Sequence, residues 1–194
     1  MRRAALLVAV LLVSATFGAA VLAGAVTGTA LPGGELSGSQ TSSDRAAGGP
    51  PSGRAVGSIP PTWLALYQRA AATCPGLPWT VLAGIGTVES DNGQSTAAGV
   101  RTGANFAGAE GPMQFEPPTF ATNGVVGPGG ADPPSPYDPV DAVYSAAHLL
   151  CSDGGGDPSM VATAIFAYNH SSDYVAQVLS LASSYGAAPG AGRG

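Results

Sequence analysis

The segment WTVLAGIGTVESDNG, Trp79 to Gly93, sets an acid among apolar residues at helical spacing. At about 100° per residue, Glu89 shares a helix face with Leu82, Ile85 and Gly86, while Thr80, Gly84 and Thr87 face elsewhere. A carboxyl aimed at the interior has two explanations. It is a structural acid with a fixed partner, or an acid whose pKa an apolar setting raises until it can donate a proton near neutral pH. No cation lies within helical reach, since Arg69 and Arg101 are remote in sequence. The negative end of the helix dipole also disfavours ionisation there. Ser90, Asp91, Asn92 and Gly93 are turn residues, which places Glu89 at the rim of a cleft rather than deep in a core. Glycoside cleavage needs such an acid, to protonate the departing oxygen while the sugar ring becomes oxocarbenium-like. From the residues alone a structural role stays open beside the catalytic one. No second carboxylate is paired with Glu89 at the spacing a retaining or inverting hydrolase needs.

The elements that must position this acid read as short helices. Pro61 and Thr62 open one that carries Leu64, Leu66, Tyr67, Ala70 and Ala71 and ends near Cys74. Leu77, Pro78 and Trp79 start the helix of Glu89, with proline in its first turn. Asp138 and Pro139 start a third, with Asp141 in the capping-box place and Val140, Val143, Tyr144, Ala147 and Leu150 along one face. Asp157 and Pro158 repeat that start for a fourth, from Met160 to about Tyr168, and Ser171 or Ser172 caps a fifth through Tyr174, Val175, Val178, Leu179 and Ala182. With no alternating strand run and no internal repeat, the fold class is all-α. The stretch NGVVGPGGADPPSPY, Asn123 to Tyr137, is loop and lacks the alternating ligands of a calcium site. His148 and His170 read as surface residues, and neither a metal nor a cofactor is expected.

Four segments carry a resemblance. VLAGIGTVES, then GAEGPMQFEPPTF from Gly108, YDPVDAVYSAAHLLC from Tyr137 and AYNHSSDYV from Ala167 together resemble the lytic transglycosylases with a lysozyme-like SLT domain. Any one match is commonplace; four in order, covering most of Ile59 to Tyr185, are specific. The GPMQF and YDPVDA elements are most similar to the MltB-type branch. The resemblance implies a small lysozyme-like helical domain with a substrate groove. It also implies cleavage of peptidoglycan between N-acetylmuramic acid and N-acetylglucosamine, with a 1,6-anhydromuramyl end as product. Glu89 matches the single catalytic acid, which then acts as base on the muramyl 6-hydroxyl. Gln114, beside Met113, matches a polar group of the cleft; Tyr168 and Asn169 match its lining pair, with the Tyr168 phenol close to Glu89. Ser90 caps or orients. Without the family, Gln114 would read as a surface residue and Tyr168 as core. Glu110 departs from the pattern, standing where relatives carry a small or neutral residue. Near Glu89 it would raise that pKa further or serve as a second carboxylate for water attack. The alternatives are therefore a lysozyme-type hydrolase and a non-catalytic glycan-binding module.

The rest of the chain bears on location. Its 194 residues include 29 Gly and 17 Pro, so the folded part is smaller than the whole. Arg2 and Arg3 precede an uncharged run from Ala4 to Val26, a signal peptide or an N-terminal membrane anchor, which puts the remainder outside the cytoplasm. Thr27 to Ser58 reads as a flexible Gly/Ser/Pro-rich linker with a reach of about 30 Å, Ile59 to Tyr185 as the domain, and Gly186 to Gly194 as a flexible tail. Cys74 and Cys151 are the only two cysteines, so an oxidising exterior allows one pairing. The net charge of -5, with only Arg69 and Arg101 as cations in the predicted domain, argues against nucleic acid or a membrane surface as partner. The expected partner is a peptidoglycan strand, met by a monomer.

Overall fold

The computed structural model describes residues 48–187. These form seven helices: α1 (Gly53–Ser58), α2 (Pro61–Ala71), α3 (Trp79–Ser90), α4 (Pro117–Asn123), α5 (Pro139–Ser152), α6 (Val161–Asn169) and α7 (Ser172–Tyr185). Among the described residues there are only isolated β-bridges, Pro51 with Gly186 and Glu110 with Phe115.

Local chemistry fixes the helix ends. Proline at the first turn starts α2, α4 and α5, where its missing N–H is no loss. The Asp138 side chain accepts from the N–H groups of Val140 and Asp141, and Ser171 accepts from Tyr174 N–H. Asp157 and Pro158, by contrast, do not start α6: Asp157 Oδ1 accepts from Ser159 instead, and α6 begins at Val161 with no side-chain cap. Helix α3 stops because Asp91, Asn92 and Gly93 all have positive φ, at 51°, 55° and 73°. The Asp91 N–H closes back on Gly86 and Thr87.

Helix α3 is the centre of the molecule and packs on α2, α5 and α7. Every residue from Trp79 to Gly86 is buried, so the side of the helix that faces away from Glu89, at Thr80, Gly84 and Thr87, is enclosed as well. Thr80 is buried, and half-buried Thr87 spends its hydroxyl on the Ala83 carbonyl at 2.8 Å. A helix enclosed on all sides has no amphipathic period to read. Its glycines set the approach of its neighbours. A Cβ on Gly84 would lie 2.9 Å from the Val178 carbonyl of α7, and one on Gly86 would overlap the Tyr67 hydroxyl of α2.

Two expectations need correction. The folded unit is wider than Ile59 to Tyr185: residues read as linker form α1, whose Ala55 is fully buried, and Trp79 Nε1 donates to the Gly49 carbonyl at 2.8 Å. The two ends of the unit pair, Ser52 N–H to the Tyr185 carbonyl at 2.8 Å and Ala187 N–H to the Pro50 carbonyl at 2.9 Å. Backbone pairing to a folded neighbour orders a segment too poor in apolar side chains to order itself. The expected signal or anchor at 1–26, the linker residues 27–47 and the tail residues 188–194 lie outside the described residues. Among the described residues no helix is long and apolar enough to cross a membrane.

Asp141 is no capping-box residue. It is fully buried, and its carboxylate accepts from the N–H groups of Gly127, Ala131 and Ser135 at 2.9, 2.9 and 3.1 Å. Ser145, one turn on, accepts from Val125 N–H at 3.0 Å. The long loop between α4 and α5 is thus wrapped around side chains of α5, which replace the strand partners its backbone lacks. The disulfide Cys74–Cys151 ties the end of α2 to α5 across 77 residues.

Candidate active site

The C-terminal end of α3 opens into a cleft of about 490 Å³. Glu89 lies in its wall, with Asn105, Ala107 and Ala109 from the loop after α3, Gln114 to Glu116 and Thr119 around the start of α4, Leu149 and Asp153 at the end of α5, and Ala167 to His170 at the end of α6. No Lys or Arg lines it. Another cavity, about 420 Å³ beside the disulfide, is lined by Gly49, Gln68, Leu77, Trp79 and small residues and holds no acid or base. Acid chemistry therefore belongs to the first.

Glu89 is half-buried, and burial pushes its carboxyl up to about 7, from an ordinary 4.5. The opposing influence is a hydrogen bond that favours the ionised form: the Tyr174 phenol donates to Glu89 Oε1 at 2.6 Å. Burial wins. The Tyr174 phenol is itself held far above its usual range by burial and by the charge of Glu89. It therefore stays protonated, and a donor, around neutral pH.

The phenol bonded to Glu89 is thus that of Tyr174, while the Tyr168 phenol is close enough to feel the acid's charge. The Tyr168 hydroxyl, expected close to the acid, donates to the Met113 carbonyl at 2.8 Å. Burial, then the nearby Glu89 charge, pushes its phenol well up. Tyr168 and Asn169 line the cleft, and so does Gln114. Gln114 has a φ of 50° and is held at both ends of its amide, receiving from Asn105 Nδ2 at 2.8 Å and donating to the Gly111 carbonyl at 2.8 Å. A fixed amide in a cleft wall can present its remaining N–H and lone pair to an acetamido or hydroxyl group.

Three expected residues do not reach the cleft. Met113 is fully buried. Ser90 is 2% exposed; its hydroxyl donates to the Pro112 carbonyl at 2.7 Å and accepts from Gly93 N–H at 2.8 Å, so it joins the α3 turn to the segment before Gln114. Glu110 is no second carboxylate for Glu89. It is absent from the cleft wall and from the causes of the Glu89 shift. The group that feels it is Tyr137, whose phenol is pushed up by burial and then by the Glu110 charge. The carboxylates that share the cleft with Glu89 are Glu116 and Asp153.

Behind Glu89, Asn92 secures the turn. It is 1% exposed, its N–H bonds the Gly86 carbonyl at 2.9 Å, and its Oδ1 accepts from the Tyr67 hydroxyl at 3.0 Å. Sequence reasoning missed two residues of the site. Tyr174 counted as one apolar-face residue of α7, with nothing to show that its hydroxyl points at an acid 85 residues away. Asn105 did carry a signal, since Asn in a stretch rich in Gly and Ala favours an Asx turn. Its Oδ1 accepts from Ala107 N–H at 2.7 Å and Ala109 N–H at 3.0 Å.

Short helices packed around a buried central helix, with a cleft over that helix's carboxyl-bearing end, define the lysozyme-like class of all-α fold. A solved structure of this class, the Escherichia coli lytic transglycosylase SLT35 in complex with bulgecin A, is similar to the chain at TM-score 0.50. The likeness covers 67% of this chain and 76% of that one at 18% identity. That degree of identity speaks for the fold and leaves each side chain's role to its geometry. No protein-family model matches the chain, and no curated protein does.

Proposed function

We propose that the chain is a lytic transglycosylase that cleaves peptidoglycan glycan strands, with Glu89 as its one general acid and base. The observation that carries this reading is a carboxyl with a pKa of about 7 in the wall of an open cleft, on a lysozyme-like fold. At neutral pH such a group is present in both protonation states in comparable amounts. It is therefore suited to give a proton and then take one back. With Tyr174 donating to Oε1, Oε2 is the oxygen free to carry the proton.

Glu89 protonates the oxygen between the muramyl C1 and the next sugar, that C–O bond breaks, and positive charge develops at C1. The muramyl 6-hydroxyl attacks C1 and loses its proton to the Glu89 carboxylate. This yields a 1,6-anhydro end and a free 4-hydroxyl, and returns the acid to its starting form. Gln114, Asn105 and Asn169 supply the amides that would bond acetamido and hydroxyl groups, and Tyr168 supplies an aromatic wall. The position of Glu110 beside Tyr137 removes the basis for water attack through that residue. The disulfide supports placement outside the cytoplasm. The MltB-type branch remains part of this proposal, on the GPMQF and YDPVDA segments.

The test is product mass. Purified chain incubated with cell-wall sacculi should release fragments with anhydromuramyl ends, and Glu89→Gln should release none. Reducing muramyl ends would mean a hydrolase, with Glu116 or Asp153 as the base to substitute next. Binding without products in the wild type would mean a glycan-binding module.

A further inference from the structure

Phe106 is 95% exposed, a placement the fold itself gives no reason for. An aromatic side chain left in water forgoes the burial that usually decides where phenylalanine goes. Its exposure is not the looseness of a floppy loop. Asn105 accepts from Ala107 and Ala109 N–H groups with its side-chain oxygen, and its backbone N–H donates to the Ala109 carbonyl at 3.0 Å. Its amide is tied to Gln114 across the cleft wall. Gly99, at a φ of 87°, lies so close under this turn that an added Cβ would come within 2.5 Å of the Ala109 carbonyl and 2.6 Å of the Asn105 nitrogen. The turn is thus clamped from inside and from below, and Phe106 stands on its crest. The residues on either side of it, Asn105 and Ala107, both line the cleft, while Phe106 itself is in solvent and not part of the wall.

We infer that Phe106 is a stacking platform for one pyranose ring of the glycan, just outside the enclosed part of the cleft, and that it sets the preference for long strands over short fragments. This rests on the proposed glycan-cleaving function. A phenyl ring on a rigid turn offers an apolar face at little entropic cost, having only two side-chain torsions to fix. The axial C–H groups of a β-linked hexopyranose give a flat apolar face of similar size. The amides of Asn105, which precedes Phe106 in the chain, and of Gln114 line the cleft and can take the polar edge of an adjoining residue. Covering one ring face corresponds to about a tenfold gain in affinity at ordinary apolar coefficients.

Two readouts test this. In a Glu89→Gln background, which cannot turn over, affinity for β-1,4-linked N-acetylglucosamine hexamers and dimers is measured by calorimetry with and without Phe106→Ala. The expected result is about tenfold weaker hexamer binding with dimer binding unchanged, and recovery with Phe106→Trp. In the active chain, Phe106→Ala should raise KM on sacculi about tenfold and leave kcat near the wild-type value. A hexamer affinity that does not change on removing the ring overturns the platform, as does an equal loss for hexamer and dimer. If the Glu89→Gln chain binds no oligosaccharide at all, the failure is that of the glycan reading itself, and wild-type products from sacculi distinguish the two cases. Folding is not at risk, because a side chain this exposed contributes no packing; unchanged thermal melting verifies it.

Discussion

Replacing Glu89 by Gln should stabilise the fold, and only on one side of a defined pH. The carboxyl has a pKa of about 7 when folded and 4.5 as an ordinary glutamic acid. Between those two values the folded chain holds a proton that the unfolded chain has lost, so wild-type stability must fall as pH rises. Below pH 4.5 the acid is neutral in both states and costs nothing; above about 7 it is ionised in both, and the full penalty applies. The gap from 4.5 to about 7, at about 1.36 kcal/mol per pH unit, makes that penalty about 3 kcal/mol. The glutamine amide keeps the shape and never ionises, and it can still accept the Tyr174 hydrogen bond through its carbonyl. Urea titrations of the wild type and Glu89→Gln at half-unit intervals from about pH 4 to 8.5 supply the comparison, with all other titrations cancelling in the difference. The two stabilities should coincide near pH 4 and diverge to about 3 kcal/mol in favour of the variant by pH 8. The alkaline limb of kcat/KM, which reports the acid in the free enzyme, should fall at the same pH of about 7. Parallel stability curves, or a Glu89 carboxyl carbon that titrates near 4.5 by NMR, would remove the physical basis of the proposed chemistry.

Three further outcomes follow from named contacts. Tyr174→Phe deletes the one interaction that favours the ionised acid, so the alkaline limb of the rate profile should move to higher pH. The accompanying stability loss, about 2 kcal/mol, should appear above pH 8 and shrink at pH 5, where Glu89 is protonated. An unmoved limb would mean that the phenol does not act on Glu89. Asp141→Ala strands the N–H groups of Gly127, Ala131 and Ser135 and should cost about 3 to 5 kcal/mol, with amide exchange at those three positions accelerating before the rest of the chain. Protection retained there would show that the loop holds itself. Replacing both Cys74 and Cys151 by Ser should lower stability by about 4 kcal/mol through the 77-residue separation, measured in urea, with catalytic rates at low temperature little changed.

The part of this molecule that a sequence reader can see is the part fixed by local chemistry. Proline at the start of α2 and α5, Asp138 and Ser171 as caps, and the turn after Ser90 are written in adjacent residues, and those helix starts are legible for that reason. Helices α1 and α4 are not, being short and held by partners elsewhere: Ser52 by Tyr185, and Phe120 by its edge-on packing with Phe115 at 5.3 Å. The apolar setting of Glu89 is legible too, though helical periodicity gives the wrong reason for it. Helix α3 is buried all round and has no polar face, so the apolar neighbours of Glu89 reflect enclosure of the whole helix rather than one side of it. Burial raises the acid, and the close packing of α2 and α7 on Gly84 and Gly86 is part of what encloses its helix. Enlarging Gly86 to Ala would accordingly drive the Tyr67 hydroxyl away from Asn92 and loosen the turn that holds Glu89, letting water reach the acid. Its pKa should then fall toward 4.5, and the alkaline limb of activity with it, in a variant whose altered atom touches no substrate.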